Sequence, residues 1–220
     1  MTRVVAFDQA TATTGWAFGT ETSAFKDSND VFHFGTIKAP KRDNFGERLA
    51  IIWKAIDGLI ELYKPDIIGF EEPYFPMQGA GGFQKRPSPV TPATGFLPPH
   101  IRNQDDEEFE EKTRFNPETL KQLQMVKGIL ICKAALLGIP AIGCTPSQWR
   151  VTVLGYGRKP KGEKDDFMKR AVRQHFASRG LDLSSADESD AVGICWHTLH
   201  GRQALERAQG DLLSMGGALL

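Results

Sequence analysis

The sequence predicts an α/β fold in which five strands form one mixed sheet with helices on its faces. Two short apolar runs, at 4–7 and 67–70, each end at an acidic residue. Runs of this length, bounded by turn-forming residues, are typical of buried strands in a largely parallel sheet. Longer segments, such as 45–63, carry apolar residues at helical spacing. Together the two patterns indicate a layered α/β domain.

The first half of the chain is predicted to form an antiparallel meander followed by a crossover helix. Gly15 and Gly19 punctuate the predicted meander, and the polar stretch 21–30 separates its second and third strands. The following helix leads to a fourth strand, and the second half of the chain adds one more strand and four helices. In chain order, the predicted strands are 3–8, 14–20, 31–38, 66–71 and 139–144, and the predicted helices are 45–63, 117–137, 146–153, 164–179 and 187–208.

Residues 76–116 form a long insert in this pattern. They are rich in Gly and Pro and contain an acidic run at 105–108. This composition is typical of a mobile loop rather than of a second domain. We therefore expect a single domain over 1–220, with a C-terminus that is frayed from about residue 209.

Composition limits the class of protein. No apolar run approaches the roughly 18 residues that span a membrane, and the first strand begins too early to leave room for a signal peptide. Cys132, Cys144 and Cys195 are isolated and lack metal-binding spacing, which predicts three buried thiols rather than a zinc site. We expect a cytoplasmic protein.

The charge is balanced in number but not in distribution. The chain has 27 Lys and Arg against 27 Asp and Glu, yet basic residues gather between 150 and 173, where glycines separate some of them. Such a segment is typical of a flexible loop that binds phosphates, although many basic runs are only the solvated face of a helix. The basic residues of this segment are Arg150, Arg158, Lys159, Lys161, Lys164, Lys169, Arg170 and Arg173.

Four acidic residues in three blocks are the best candidates for a functional site. Asp8 and Glu71 stand at the ends of predicted strands, and the ligand crevice of such sheets lies at the carboxyl ends of the strands. Asp187 and Asp190 share one face of a predicted helix start, where they are equally suited to capping it. Converging carboxylates are the ligands that magnesium prefers. Glu72 is the alternative to Glu71, because strand alternation sends the two to opposite faces.

The motifs around these residues resemble the RuvC family of Holliday-junction resolvases. The resemblance covers most of 3–72 and 117–200, with Gln9 and Ala10 in place of the family's Pro-Gly and Arg150 in place of a frequent lysine. The matching segments are 8–17, which resembles the first strand and hairpin, 68–73, which resembles the second acidic strand, 145–164, which resembles the Pro-x-Gln-x-Lys, Gly-x-Gly and Lys block, and 186–194, which resembles the closing Asp-x-x-Asp-Ala helix.

The resemblance implies an RNase H-like fold and an endonuclease that resolves four-way DNA junctions by paired symmetric nicks. Asp8 would bridge two Mg²⁺ ions about 4 Å apart, with Glu71 on one ion and Asp187 and Asp190 on the other, and Mn²⁺ is a possible substitute. Lys164 would stabilise charge at the scissile phosphate.

The expected DNA contacts combine the basic segment with two aromatic residues that follow the second acidic strand. In the family an aromatic there stacks on unpaired bases; the same rings would equally suit a core. The expected contacts are Arg150, Arg158, Lys159, Lys161, Lys164, Tyr74 and Phe75. Two symmetric cuts imply a homodimer. The apolar stripe of the helix 117–137 would supply part of its interface or, alternatively, monomer core. A branch-migration helicase partner is unknown.

Three alternatives remain open. A related RNase H-like nuclease would cut flaps, forks or structured RNA with the same carboxylates, since fold does not fix substrate. A non-catalytic junction-binding module would have no use for four clustered carboxylates near phosphates. An actin-like ATP-binding domain would need a second similar half, which this sequence lacks.

Overall fold

The computed structural model describes residues 1–21, 32–40, 44–72, 117–164 and 166–216, and for 202–216 the backbone alone. Within these ranges five strands form a single sheet, and five helices pack around it. The strands are β1 (Arg3–Asp8), β2 (Thr13–Thr20), β3 (His33–Lys38), β4 (Ile67–Glu71) and β5 (Ala141–Cys144), and the helices are α1 (Phe45–Tyr63), α2 (Pro117–Leu137), α3 (Pro146–Leu154), α4 (Phe167–Ala177) and α5 (Ala186–Gly216).

The sheet has the strand order β3-β2-β1-β4-β5. The first three strands pair antiparallel, whereas β4 runs parallel to both β1 and β5. The predicted mixed five-stranded sheet, with an antiparallel meander joined to parallel strands, is therefore confirmed. The element bounds agree with the prediction to within three residues, except that the backbone of α5 continues to Gly216.

Strand alternation divides the core between the two faces of the sheet. Val4 of β1 lies in a buried cluster with residues of α3, α4 and α5, and we call this side the α5 face. Val5, the next residue, lies in a second buried cluster with residues of α1 and α2, on what we call the α1–α2 face. The sheet is thus covered by helices on both sides, which explains why β1 and β4 are apolar at consecutive positions.

Glycine at two positions lets α5 lie directly on the strands. A Cβ at Gly15 of β2 would stand 2.0 Å from the backbone oxygen of Asp187, and one at Gly69 of β4 would stand 2.6 Å from Oγ1 of Thr198. Gly15 pairs with Asp8 in the register of β1 and β2. The close approach at Gly15 therefore fixes the first turn of α5 beside the end of β1.

The cysteine prediction is only partly right. Cys144 and Cys195 are buried, but Cys132 is exposed. The buried side of α2 includes Leu130 and Ala134, and a residue midway between them lies on the opposite side of the helix. The described part of the chain contains no helix that is both long and apolar enough to cross a membrane.

Some predictions fall on parts of the chain that the structure does not describe. Tyr74, Phe75 and the insert 76–116 lie outside the described residues. The same holds for the last four residues, 217–220. The expectations of a mobile insert and a frayed C-terminus therefore stay predictions.

Candidate active site

Strands β1 and β4 end side by side with acidic residues on the same face. Phe7 pairs with Phe70 in the parallel register, so the next residues, Asp8 and Glu71, are neighbours across the two strands. Alternation places both on the α5 face, because Val4 of β1 and Ile67 of β4 lie in the cluster on that face and each stands four residues before the acidic residue of its strand. Two carboxylates thus stand at the carboxyl edge of the sheet, where the ligand crevice of such sheets lies.

The start of α5 adds two more carboxylates to this edge. Asp190 is buried and Asp187 is partly buried. The negative charges of Glu71, Asp190 and Asp187 all raise the pKa of Asp8. The structure therefore brings the four acidic residues singled out from the sequence within electrostatic reach of one another.

Burial and like charge disfavour the ionised form of these carboxyl groups. Desolvation is the largest cause of the raised pKa of Asp8, followed by the negative charge of Glu71. Desolvation also raises the pKa of Glu71, and it raises that of Asp190 to about 7. Positive charge compensates in part: Arg150 lowers the pKa of Glu71 and Asp190, and Lys169 lowers that of Asp8 and Asp190. A cation bound here would remove the remaining repulsion.

The donor set fits a hard divalent cation. Among the described residues, Oδ1 of Asp190 is buried without a hydrogen-bond partner. An unpartnered carboxylate oxygen beside other carboxylates is the environment that magnesium ligands provide. In the ranges that the structure covers, no group of three or more Asp, Glu, His or Cys side chains is arranged so that it could hold a metal ion as it stands. Binding would therefore require rotation of one or more side chains among the candidate ligands, which are Asp8, Glu71, Asp187 and Asp190.

Two hydrogen bonds hold Glu71. Nε1 of Trp149 donates to Oε2 of Glu71 at 3.0 Å, and Nε2 of Gln9 donates to the backbone oxygen of Glu71 at 2.7 Å. Trp149 is fully buried, and Oε1 of Gln9 is buried without a hydrogen-bond partner among the described residues. Neither residue is among the site residues predicted from the sequence. The only sequence signal for Trp149 is its position directly before Arg150.

Glu72 lies on the opposite face from Glu71. Its carboxylate pairs with Nζ of Lys127 of α2, on the α1–α2 face. The same side chain covers Gly143 of β5, where a Cβ would stand 2.3 Å from Oε1 of Glu72. Of the two neighbouring glutamates, it is Glu71 whose charge acts on Asp8.

The five basic residues predicted to contact DNA separate into two groups. The Cζ atom of Arg150 lies 5.0 Å from the centroid of the Trp149 ring, and its charge reaches the carboxylates. The other four, in the segment between α3 and α4, are exposed: Arg158, Lys159, Lys161 and Lys164. The lysine charge that acts on Asp8 and Asp190 is that of Lys169, in the first turn of α4.

Comparison with known proteins agrees with this arrangement. No family model matches the chain. The crossover junction endodeoxyribonuclease RuvC of Dictyoglomus thermophilum is 21% identical over 193 residues, which are 87% of this chain and 92% of that protein. RuvC of Syntrophomonas wolfei is 24% identical over 194 residues, which are 88% of this chain and 87% of that protein. The resemblance found in the sequence motifs is confirmed by similarity that spans most of both chains.

Solved structures share the fold. RuvC of T. thermophilus in complex with a Holliday junction substrate has a TM-score of 0.59 at 15% identity and covers 93% of this chain and 97% of that chain. The yeast mitochondrial Holliday junction resolvase Ydc2 has a TM-score of 0.52 at 10% identity, with 97% and 84% covered. The predicted RNase H-like fold is therefore confirmed.

Proposed function

We propose, on the premise that this chain resembles RuvC resolvases in both sequence and fold, that it is a metal-dependent endonuclease that resolves four-way DNA junctions. The observation that carries the proposal is the cluster of Asp8, Glu71, Asp187 and Asp190 on the α5 face, with one buried oxygen of Asp190 unpartnered among the described residues. Two further facts support it: the similar proteins are named crossover junction endodeoxyribonucleases, and the T. thermophilus structure holds a Holliday junction substrate.

In this proposal the four carboxylates hold two Mg²⁺ ions, for which Mn²⁺ is a possible substitute. Bound magnesium would supply an activated water for attack on the phosphodiester and neutralise charge on the leaving 3′ oxygen. The contribution of the chain is a partly buried setting, in which interactions between charges are stronger than in water. The raised pKa of Asp8 supports a role in cation binding, because a cation would relieve the cause of the shift.

Basic side chains of this protein would hold the DNA backbone. Arg150 stands next to the carboxylates, and we propose that it contacts a phosphate close to the cut. Lys164 is proposed to stabilise charge at the scissile phosphate, and Lys169 is a second candidate because its charge reaches Asp8. The exposed residues Arg158, Lys159 and Lys161 are proposed to contact phosphates further away, where such contacts position DNA without reading its sequence. Tyr74 and Phe75 are proposed to stack on unpaired bases at the junction centre.

Paired symmetric nicks require two active sites, so we propose a homodimer with two-fold symmetry. The apolar stripe of α2 lies largely in the core of this chain, since Val126, Ile129, Leu130 and Ala134 are buried there. The dimer is tested by measuring mass in solution with light scattering. A monomeric mass at micromolar concentration, with and without junction DNA, would contradict it.

The function is tested with a synthetic four-way junction, a linear duplex of matched sequence and a flap, each incubated with Mg²⁺ or EDTA. We expect paired nicks at symmetric positions on the junction, with 5′ phosphates, and no cutting in EDTA. Equal cutting of the flap would indicate a general nuclease for branched DNA. Tight junction binding without cleavage in Mg²⁺ or Mn²⁺ would overturn the enzymatic proposal and favour a binding module.

A further inference from the structure

We infer that Trp149 is a positioning residue that fixes the Glu71 carboxylate for cation binding. The inference rests on the proposed function, because it assigns Glu71 to the metal site. The indole N–H donates to Oε2 of Glu71 at 3.0 Å. A donor on one oxygen limits rotation of the carboxylate.

The donor itself is rigidly held. Trp149 has an exposed fraction of 0%. Its ring lies so close to Gly193 of α5 that a Cβ there would stand 2.7 Å from the ring. Thr145 and Gln148 form a capping box at the start of α3, which anchors the helix that carries the indole. The N–H group therefore has a fixed direction, and Glu71 must adapt to it.

The backbone of Glu71 is fixed independently of its side chain. Gln9 donates to the Glu71 carbonyl at 2.7 Å, and Glu71 pairs with Cys144 in the register of β4 and β5. With the main chain held, the remaining freedom of Glu71 is rotation of its side chain. If the carboxylate turned away, the buried indole N–H would lose its partner, which is unfavourable. The hydrogen bond thus selects one orientation of Glu71.

The simpler explanation is that Trp149 only fills the core. A core-filling ring needs volume but no donor, so the two roles are separated by Trp149→Phe, which keeps an aromatic ring and removes the N–H. Trp196→Phe is the matched control. Trp196 has an exposed fraction of 8%, lies in the same buried cluster as Trp149, and packs against the rings of Phe32, Phe176 and His200.

The first measurement is Mn²⁺ affinity in the absence of DNA, by calorimetry or electron paramagnetic resonance. Loss of a group that orients a metal ligand typically weakens metal binding about 10–100-fold, so we expect at least about tenfold weaker binding for Trp149→Phe. We expect binding close to that of the wild type for Trp196→Phe. Equal affinities in all three proteins, or the same loss in both variants, would overturn the inference.

The second measurement uses the wild-type protein and so does not depend on the folding of Trp149→Phe. The chain has four tryptophans, and Phe variants of the other three assign the Trp149 indole N–H signal by elimination. We expect this signal to move on addition of Mg²⁺ and in Glu71→Gln, while that of Trp53, on the α1–α2 face, stays in place. A Trp149 signal that is unchanged in both cases would contradict the inference. Failure of the wild type to bind Mn²⁺ would overturn the proposed function as well, whereas wild-type binding with no effect of Trp149→Phe would overturn the inference alone.

Discussion

The two faces of the sheet treat the same kind of residue in opposite ways. On the α5 face, Glu71 stands among other carboxylates, and desolvation raises its pKa. On the α1–α2 face, the adjacent Glu72 forms an ion pair with Lys127, and Asp57 forms another with Lys133. Nothing in the identity of two neighbouring glutamates explains the difference, so it arises from what the fold places around them. Carboxylates crowded together with incomplete compensation are typical of functional sites rather than of structural ion pairs.

The contrast also concerns stability. A crowded, partly buried carboxylate disfavours folding when it is ionised, whereas a half-exposed ion pair contributes about 0–1 kcal/mol. Active sites often carry such a cost because function needs the arrangement. Replacing a carboxylate of the α5 face should therefore reduce activity and increase stability. Replacing one member of an ion pair on the α1–α2 face should change both only slightly.

The largest effect is expected for Asp8→Asn. Because Asp8 would be a direct ligand, its loss should reduce cleavage by more than the about 100-fold that is typical of losing an outer partner of a ligand. Junction binding should persist, since the basic residues are untouched. The metal-free variant should also melt at a higher temperature than the wild type, because a desolvated charge is removed from among like charges. Cleavage assays, binding assays in EDTA and thermal melts check the three parts.

Glu72→Gln serves as the matched control for this prediction, because it removes one carboxylate from the other face of the same edge. Normal cleavage by Asp8→Asn would show that the site assignment is wrong. A fall in melting temperature with unchanged metal binding would show that Asp8 is a structural residue.

The second effect is a pH dependence of stability that magnesium reverses. Burial raises the pKa of Asp190 from its ordinary value of 3.8 to about 7. Between these values the folded protein holds a proton that the unfolded chain has released, so the free energy of unfolding falls as pH rises through this window. Mg²⁺ binds the ionised form, and its stabilising effect should therefore be larger at about pH 8 than at about pH 5.

Thermal melts across this range, in EDTA and in Mg²⁺, measure both parts of the prediction. Asp190→Asn should flatten the pH dependence in EDTA, whereas Glu72→Gln should leave it unchanged. Stability that is constant between the two pH values in EDTA would contradict the burial effect, and an equal gain from Mg²⁺ at both would contradict binding to these carboxylates.

The third effect compares two glycines. A Cβ at Gly15 would meet the backbone oxygen of Asp187 at 2.0 Å, whereas one at Gly143 would meet the Glu72 side chain alone, with Oε1 at 2.3 Å and Cγ at 2.8 Å. Backbone cannot move aside as a flexible side chain can, so Gly15→Ala should displace the first turn of α5. We expect a stability loss of about 1–3 kcal/mol and weaker Mn²⁺ binding. Gly143→Ala should stay within about 0.5 kcal/mol of the wild type and bind Mn²⁺ normally. Denaturant unfolding and calorimetry measure both, and similar results for the two variants would refute the comparison.

Much of the fold followed from the sequence because its signals are local. The apolar runs of β1 and β4 and the helical spacing of α1 are periodic patterns within single segments. The four carboxylates could also be predicted from the sequence, since strand ends and a helix start are positions that the topology brings to one edge.

The remaining features of the site depend on contacts between distant segments. Trp149 reaches Glu71 across 78 residues of sequence, and no periodic pattern encodes a hydrogen bond of that kind. The start of α4 also differs from the prediction. The sequence suggested a start at 164, but the helix begins at Phe167, so Lys164 precedes it and Lys169 lies in its first turn. A shift of this size lies within the uncertainty of helix ends, and the role of Lys164 at the scissile phosphate stays a prediction.

The smallest effect is expected on the paired face. Lys127 and Glu72 have side-chain exposed fractions of 20% and 34%, so water screens their attraction. Glu72→Gln should therefore change the free energy of unfolding by no more than about 1 kcal/mol and cleavage by less than about twofold. Lys127→Met should cost slightly more, because Nζ of Lys127 also lies 5.5 Å from the centroid of the Phe70 ring. Denaturant unfolding and junction cleavage measure both variants. Loss of cleavage in Glu72→Gln comparable to that in Asp8→Asn would mean that this carboxylate turns to the α5 face when metal binds, and the division of the two glutamates between the faces would fail.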